Sequence, residues 1–140
     1  MNICIINGPN LNLVGRRQPE IYGDIYFEEY FERLIEKYSE VNISYYQSNV
    51  EGELINQLQE VGFIYDGIIL NAGGYSHTSV AIADCVSSIS TKVIEVHISN
   101  ILNREEYRHS SLVSKACQGS IIGLGLRGYE LALKYFIELQ

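Results

Sequence analysis

Five short apolar runs punctuate the chain: Ile3 to Asn7, Ile43 to Gln47, Gly67 to Asn71, Val93 to Ile98 and Ser120 to Leu124. Each is too short for a stable helix and most are β-branched, so each predicts a strand. Between them the period changes. Phe27, Tyr30, Phe31, Leu34, Ile35 and Tyr38 step by three and four residues, which lays one apolar stripe along a helix. A second helix is predicted from Ser48 through Leu54, Ile55, Leu58 and Val61, with Ser48 and Glu51 at capping-box spacing. A third is expected from about Thr78 to Val86, and a last one from near Gly128 that carries Tyr129, Leu133 and Phe136 on one side.

Unbroken apolar runs mark strands covered on both faces, and strands joined by helices run parallel. The alternation therefore predicts an α/β domain: a flavodoxin-like three-layer fold with a five-stranded parallel sheet in the order 2-1-3-4-5. At 140 residues the chain fits one catalytic domain, residues 1–140, with no internal repeat, linker or low-complexity tract.

In such sheets ligands bind beyond the carboxyl ends of the strands. Here those ends are polar: Asn7, Gln47, Asn71 and His97 each close an apolar run. The connection after the first strand, Gly8 to about Asp24, exceeds the roughly 2 to 6 residues usual in α/β units. It holds Asn10, Asn12, Arg16, Arg17 and Tyr22 between Gly15, Pro19 and Gly23, a composition suited to a lid that carries reactive groups. Tyr22 is one of 11 tyrosines, so its type alone says nothing. A phenol becomes a useful base near neutrality only if a cation favours the phenolate, and Arg17 on the same loop is a candidate cation.

The two-residue period of Val93-Ile94-Glu95-Val96-His97 puts Glu95 and His97 on one face of their strand, where a carboxylate can orient an imidazole for acid/base work. The following turn, Ile98-Ser99-Asn100, exposes backbone N–H groups suited to a carboxylate. Gly73-Gly74-Tyr75-Ser76-His77-Thr78-Ser79 joins the third strand to its helix, with Thr78 or Ser79 as the cap and His77 beside Asn71. Asp84, on the helix itself, reads by itself as a solvated or capping carboxylate.

Composition narrows the class of partner. A formal charge of -7 disfavours nonspecific binding to nucleic acid or an anionic membrane, yet Arg16 with Arg17, and Arg104 with Arg108, form local basic clusters that suit a small anionic substrate. No apolar stretch approaches the roughly 20 residues that span a bilayer, and no charged region precedes the first apolar run, so a soluble cytoplasmic protein is expected. Cys4, Cys85 and Cys117 are odd in number and lack CxxC spacing, which predicts reduced packing residues rather than disulfides or a zinc site.

Four motifs in order resemble the type II 3-dehydroquinate dehydratases over nearly the whole chain. They are Ile6-Asn7-Gly8-Pro9-Asn10-Leu11-Asn12 with Gly15-Arg16-Arg17 and Tyr22-Gly23; Gln47-Ser48-Asn49 with Glu51-Gly52; Asn71-Ala72-Gly73-Gly74 with His77-Thr78-Ser79-Val80-Ala81; and Glu95-Val96-His97-Ile98-Ser99-Asn100 with Arg104-Glu105-Glu106 and Arg108-His109. The resemblance implies elimination of water from 3-dehydroquinate to give 3-dehydroshikimate through an enolate, in aromatic biosynthesis or quinate breakdown. It implies Tyr22 as the base with Arg17 lowering its pKa, Asn10 at the enolate oxygen through a water, and His97 as the acid supported by Glu95. For binding it implies Asn71 and the backbone of Ile98 and Ser99 at the carboxylate, His77 and Arg108 at ring hydroxyls, and Asp84 donated across a subunit interface. It further implies a homododecamer built from trimers, with no metal and no cofactor. Asn56, Ser88 and Ser110 depart from residues common in the family, which bears on interface detail.

Two rivals fit less well. A flavodoxin-like binding or signalling domain would need acidic strand ends for phosphotransfer, or a G-x-G-x-x-G turn for a nucleotide, and Gly8-Pro9-Asn10 is not one. A serine hydrolase using Ser76 or Ser79 with a histidine and Asp84 lacks a G-x-S-x-G elbow. The four lysines, Lys37, Lys92, Lys115 and Lys134, fall outside the motifs, which speaks against an imine route.

Overall fold

The computed structural model describes residues 1–16, 18–22 and 24–140, and of Tyr22 the backbone alone. Its five strands, β1 (Asn2–Asn7), β2 (Asn42–Gln47), β3 (Gly67–Asn71), β4 (Val93–His97) and β5 (Gly119–Ile122), form one parallel sheet in the order β2-β1-β3-β4-β5. This is the flavodoxin-like arrangement expected from the sequence. The helices are α1 (Pro19–Tyr22), α2 (Phe27–Lys37), α3 (Glu51–Val61), α4 (Val80–Ser88) and α5 (Arg127–Glu138).

The pleat divides the core in two. Ile3 and Ile5 of β1 point to one face of the sheet, with Ile69, Ile94 and Val96, and pack against Phe27 and Leu34 of α2 and Tyr129, Leu133 and Phe136 of α5. Cys4 and Ile6 point to the other, with Ile68, Leu70 and Val93, and meet Leu54, Leu58 and Val61 of α3 and Ile82, Cys85 and Val86 of α4. Each layer thus buries one apolar stripe. Truncating a fully enclosed side chain such as Leu54 or Leu133 to alanine costs roughly 2 to 5 kcal/mol.

Local chemistry corrects the expected start of α3. Ser48 and Glu51 do not form a capping box: the helix begins at Glu51 after Val50, and the Ser48 hydroxyl accepts from the Val50 N–H at 2.9 Å while donating to Glu53. The serine closes its own turn before the helix starts, which satisfies it locally. At α4 the cap is Ser79, whose Oγ accepts from the Ile82 N–H at 2.9 Å, so this serine is engaged structurally. The helix then runs to Ser88, two residues beyond the predicted end. The long first connection is not featureless: a 3-10 turn at Leu11–Leu13 and the single turn of α1 are built into it.

Two glycines bring the strand ends together. A Cβ on Gly8 would stand 2.5 Å from the Ala72 carbonyl oxygen, so only glycine lets the chain leaving β1 pass against the end of β3. Gly73 has φ of +59° and lies against Pro9, closing the same junction from the other side. All three cysteines are free. Among the described residues no helix is long and apolar enough to cross a membrane.

Candidate active site

The carboxyl ends of β1, β3 and β4 and the turns after them surround one small cavity. Asn71, Gly73 and His77 line it from the β3 side, and His97, Ile98 and Ser99 from the β4 side. Leu11, Ile101, Arg104 and Arg108 complete it. Six of the residues predicted from sequence therefore meet in one place: Asn71, His77, His97, Ile98, Ser99 and Arg108. A neighbouring depression shares Ile98, Ser99 and Arg104 and is lined by Glu20 and Ile21, so α1 stands over the same rim.

Glu95 and His97 share a face of β4, as the two-residue period requires. Glu95 is completely buried, and its Oε1 lies 2.9 Å from Nε2 of the nearly buried His97. The Nε2–H direction falls off the line to the oxygen, so the contact is a close charge pairing, when the ring is protonated, rather than a straight hydrogen bond. Among the described residues no hydrogen bond engages Nδ1 of this ring.

Three serines hold the carboxylate from behind. Ser111 donates to Oε1 at 2.6 Å, Ser120 donates to Oε2 at 2.9 Å, and Ser114 donates to the same Oε2. Ser114 in turn lies 2.9 Å from Ser120, and the Ser111 hydroxyl accepts from the Ser114 N–H at 3.1 Å. Burial drives the Glu95 carboxyl upward, but His97, Ser111 and Ser114 outweigh it and bring it down to about 2. Glu95 is accordingly a carboxylate at neutral pH, and its negative charge lies 2.9 Å from Nε2 of His97. Nothing in the residue spacing announces this hydroxyl cage, because its serines come from a loop and an edge strand with no periodicity to single them out.

His77 is fixed by its Nδ1, which lies 2.7 Å from the Ser110 carbonyl oxygen. A carbonyl only accepts, so Nδ1 carries the proton and Nε2 is left for other contacts. The His77 and His97 rings lie 6.0 Å apart, tilted by 29°. Arg104, read from sequence only as part of a basic cluster with Arg108, donates to the Ser99 hydroxyl at 3.3 Å, and Arg108 pairs with Glu105 at 2.8 Å.

Behind Asn71 lies a buried polar chain. Its Nδ2 donates to the Tyr129 hydroxyl at 2.9 Å, its Oδ1 accepts from the Gly73 N–H at 3.1 Å, and Tyr129 donates to Asn7 Oδ1 at 2.7 Å.

Two further predicted residues, Asn10 and Asp84, do not line the cavity. Asn10 is exposed beside Leu11, in a left-handed conformation with φ of +68°, and its N–H donates to Asn49 Oδ1 at 2.9 Å. Asp84 does not join the cavity: it lies exposed on α4, in a separate depression with Ile55, Phe63 and Ala81. Arg17 and the Tyr22 ring lie outside the described residues. A larger depression opens at the amino ends of the strands between Met1, Asp66, Lys92 and Phe136, but no histidine lines it. Among the described residues no cluster of histidine, cysteine or acidic side chains is arranged to hold a metal ion.

This architecture is shared. The family model for class II dehydroquinases matches residues 1–137. A 3-dehydroquinate dehydratase of Fusobacterium nucleatum is 50% identical over 143 residues, covering 99% of this chain and 97% of that one. One from an Exiguobacterium species is 48% identical, covering 99% and 95%. The crystal structure of a type II dehydroquinase from Butyrivibrio crossotus superposes with a TM-score of 0.94 at 45% identity, over 98% of this chain and 97% of that one. That of a type II dehydroquinase from Propionibacterium acnes gives 0.91 at 39%, over 98% and 96%.

Proposed function

Because this chain belongs to the class II dehydroquinases, it is a 3-dehydroquinate dehydratase, a carbon–oxygen hydro-lyase of the shikimate pathway working through an enolate, and we propose the following division of labour among its residues. Tyr22, as phenolate beside Arg17, removes a proton from C2 next to the ketone. The electron pair moves onto the ketone oxygen, where a water held by Asn10 stabilises the enolate. When the enolate collapses, the C1–oxygen bond breaks and His97 protonates the departing hydroxyl, which leaves as water. Glu95 orients the His97 ring and balances its charge. The products are 3-dehydroshikimate and one water, and neither metal nor cofactor takes part.

Binding follows the same rim. Asn71 with the backbone N–H groups of Ile98 and Ser99 takes the substrate carboxylate, and His77 and Arg108 take ring hydroxyls. Asp84 serves the cavity of a neighbouring subunit, in an assembly of trimers that together make a homododecamer in the cytoplasm. Exposed apolar side chains near Asp84 support that assembly: Val80 is 62% and Phe63 is 61% exposed in the single chain.

The observation that carries the reading is the juxtaposition of a buried Glu95–His97 pair with Asn71 and His77 around one cavity. The test is the appearance of an enone chromophore from 3-dehydroquinate, followed in the ultraviolet, with chelator present and after borohydride treatment. Turnover is expected to survive both treatments and to fall by about 10²- to 10⁴-fold in His97→Ala. Loss of turnover on chelation or reduction, or a fully active His97→Ala enzyme, would remove this mechanism.

A further inference from the structure

An asparagine amide has two ends of nearly equal shape and opposite polarity, so whatever fixes its flip decides whether a pocket offers a donor or an acceptor. At Asn71 the flip is fixed twice. The Gly73 N–H can only donate, which holds Oδ1 at 3.1 Å, and the opposite end, Nδ2, meets the Tyr129 hydroxyl at 2.9 Å. Tyr129 is fully buried, and burial pushes its phenol far upward, so it keeps its proton. That one proton goes to Asn7 Oδ1 at 2.7 Å, which turns the Asn7 Nδ2 toward the Tyr45 hydroxyl at 3.4 Å. The hydrogen bonds therefore run in a single direction from Asn71 to Tyr45, and turning the Asn71 amide over would set its Nδ2 against the Gly73 N–H, donor against donor.

We propose that Tyr129 is a positioning residue for substrate recognition: by accepting one N–H of Asn71 it locks the amide so that the other N–H is the group offered to the cavity, as a donor for the ligand carboxylate. The inference rests on the reading of Asn71 as a carboxylate contact. Tyr129 itself does not line the cavity; it acts through Asn71 from α5, across β1 and β3.

Tyr129→Phe removes the acceptor and keeps the ring. The KM for 3-dehydroquinate should rise about tenfold while kcat stays within about twofold, the size expected for one buried hydrogen bond lost from binding. A purely structural role would not discriminate between ligands, so the second readout is affinity for two competitive ligands. One is a cyclohexane polyol bearing a ring carboxylate, and the other is the same polyol without it. The wild type should prefer the first, and Tyr129→Phe should lose most of that preference while binding the second normally. Equal weakening of both ligands, or an unchanged preference, overturns the proposal.

If Tyr129→Phe fails to fold, Asn7→Leu decides. It takes away the acceptor for the tyrosine proton and should erode the same preference, and a preference fully retained there also overturns the proposal. A wild type that turns over yet binds both ligands alike removes Asn71 from carboxylate recognition, and the proposal falls with it. A wild type that discriminates, with a Tyr129→Phe enzyme that discriminates equally, defeats the tyrosine's role alone.

Discussion

Glu95 is an anion held by the hydroxyls of Ser111, Ser114 and Ser120 beside an imidazole. Its folded-state pKa, about 2 against an ordinary 4.5, makes it a source of stability with a definite pH window. The contribution is fully present above pH ~4.5 and is lost as the pH falls toward ~2, where the folded protein must take up the proton. Glu95→Gln keeps the shape and removes the charge. Its deficit in urea unfolding relative to wild type should be largest at pH 6 and shrink at pH 3; a deficit independent of pH would show that the carboxylate's charge is not what the serines hold. Tyr22→Phe addresses the other half of the chemistry. It should abolish most turnover while leaving the substrate dissociation constant within a few-fold, and near-normal turnover would remove the phenolate from the mechanism.

Elements carry the site because each ends where it does for a local reason. Ser79 caps α4 and ends the segment that contains His77, so Ser79→Ala should cost about 1 kcal/mol, read from denaturant midpoints, with turnover affected less than stability. Gly8 is different in kind. An alanine there would drive its Cβ into the Ala72 carbonyl, backbone against backbone. Gly8→Ala should therefore lower both stability and turnover, because β1 and β3 cannot part without moving Asn71. The strands and the stripe of α2 were legible in the sequence because burial on a periodic element leaves a periodic trace. Ser48 has capping-box spacing to Glu51, and only the fold reveals that its hydroxyl is spent on Val50 and Glu53. The cage serines, Ser111, Ser114 and Ser120, left no such trace. Their meaning depends on Glu95, which is distant in sequence. Asn71, His77 and His97 could be found because polar residues at the ends of apolar runs stand out against their surroundings. Tyr129 could not, since a buried tyrosine on an amphipathic helix reads as packing until its hydroxyl is seen between two asparagines.

At the scale of the whole molecule, Asp84 lies outside the cavity of its own chain, in a separate depression. If Asp84 completes the cavity of a neighbour, His97→Ala and Asp84→Ala chains, each impaired alone, should complement when co-expressed. Hybrid assemblies contain cavities with an intact His97 from one chain and an intact Asp84 from another. Activity above the average of the two parents is expected, in a particle whose mass by light scattering is that of an oligomer. Activity at the parental average would mean that each chain acts with its own residues only.

Tyr129 belongs to the last helix, yet it joins Asn7 on the first strand to Asn71 on the third. A chain emerging from the ribosome must therefore be made as far as α5 before the final amide can be latched. Catalysis on this scaffold should report completed folding: after dilution from denaturant, full activity at limiting substrate should reappear only once α5 has docked, later than the return of helical ellipticity.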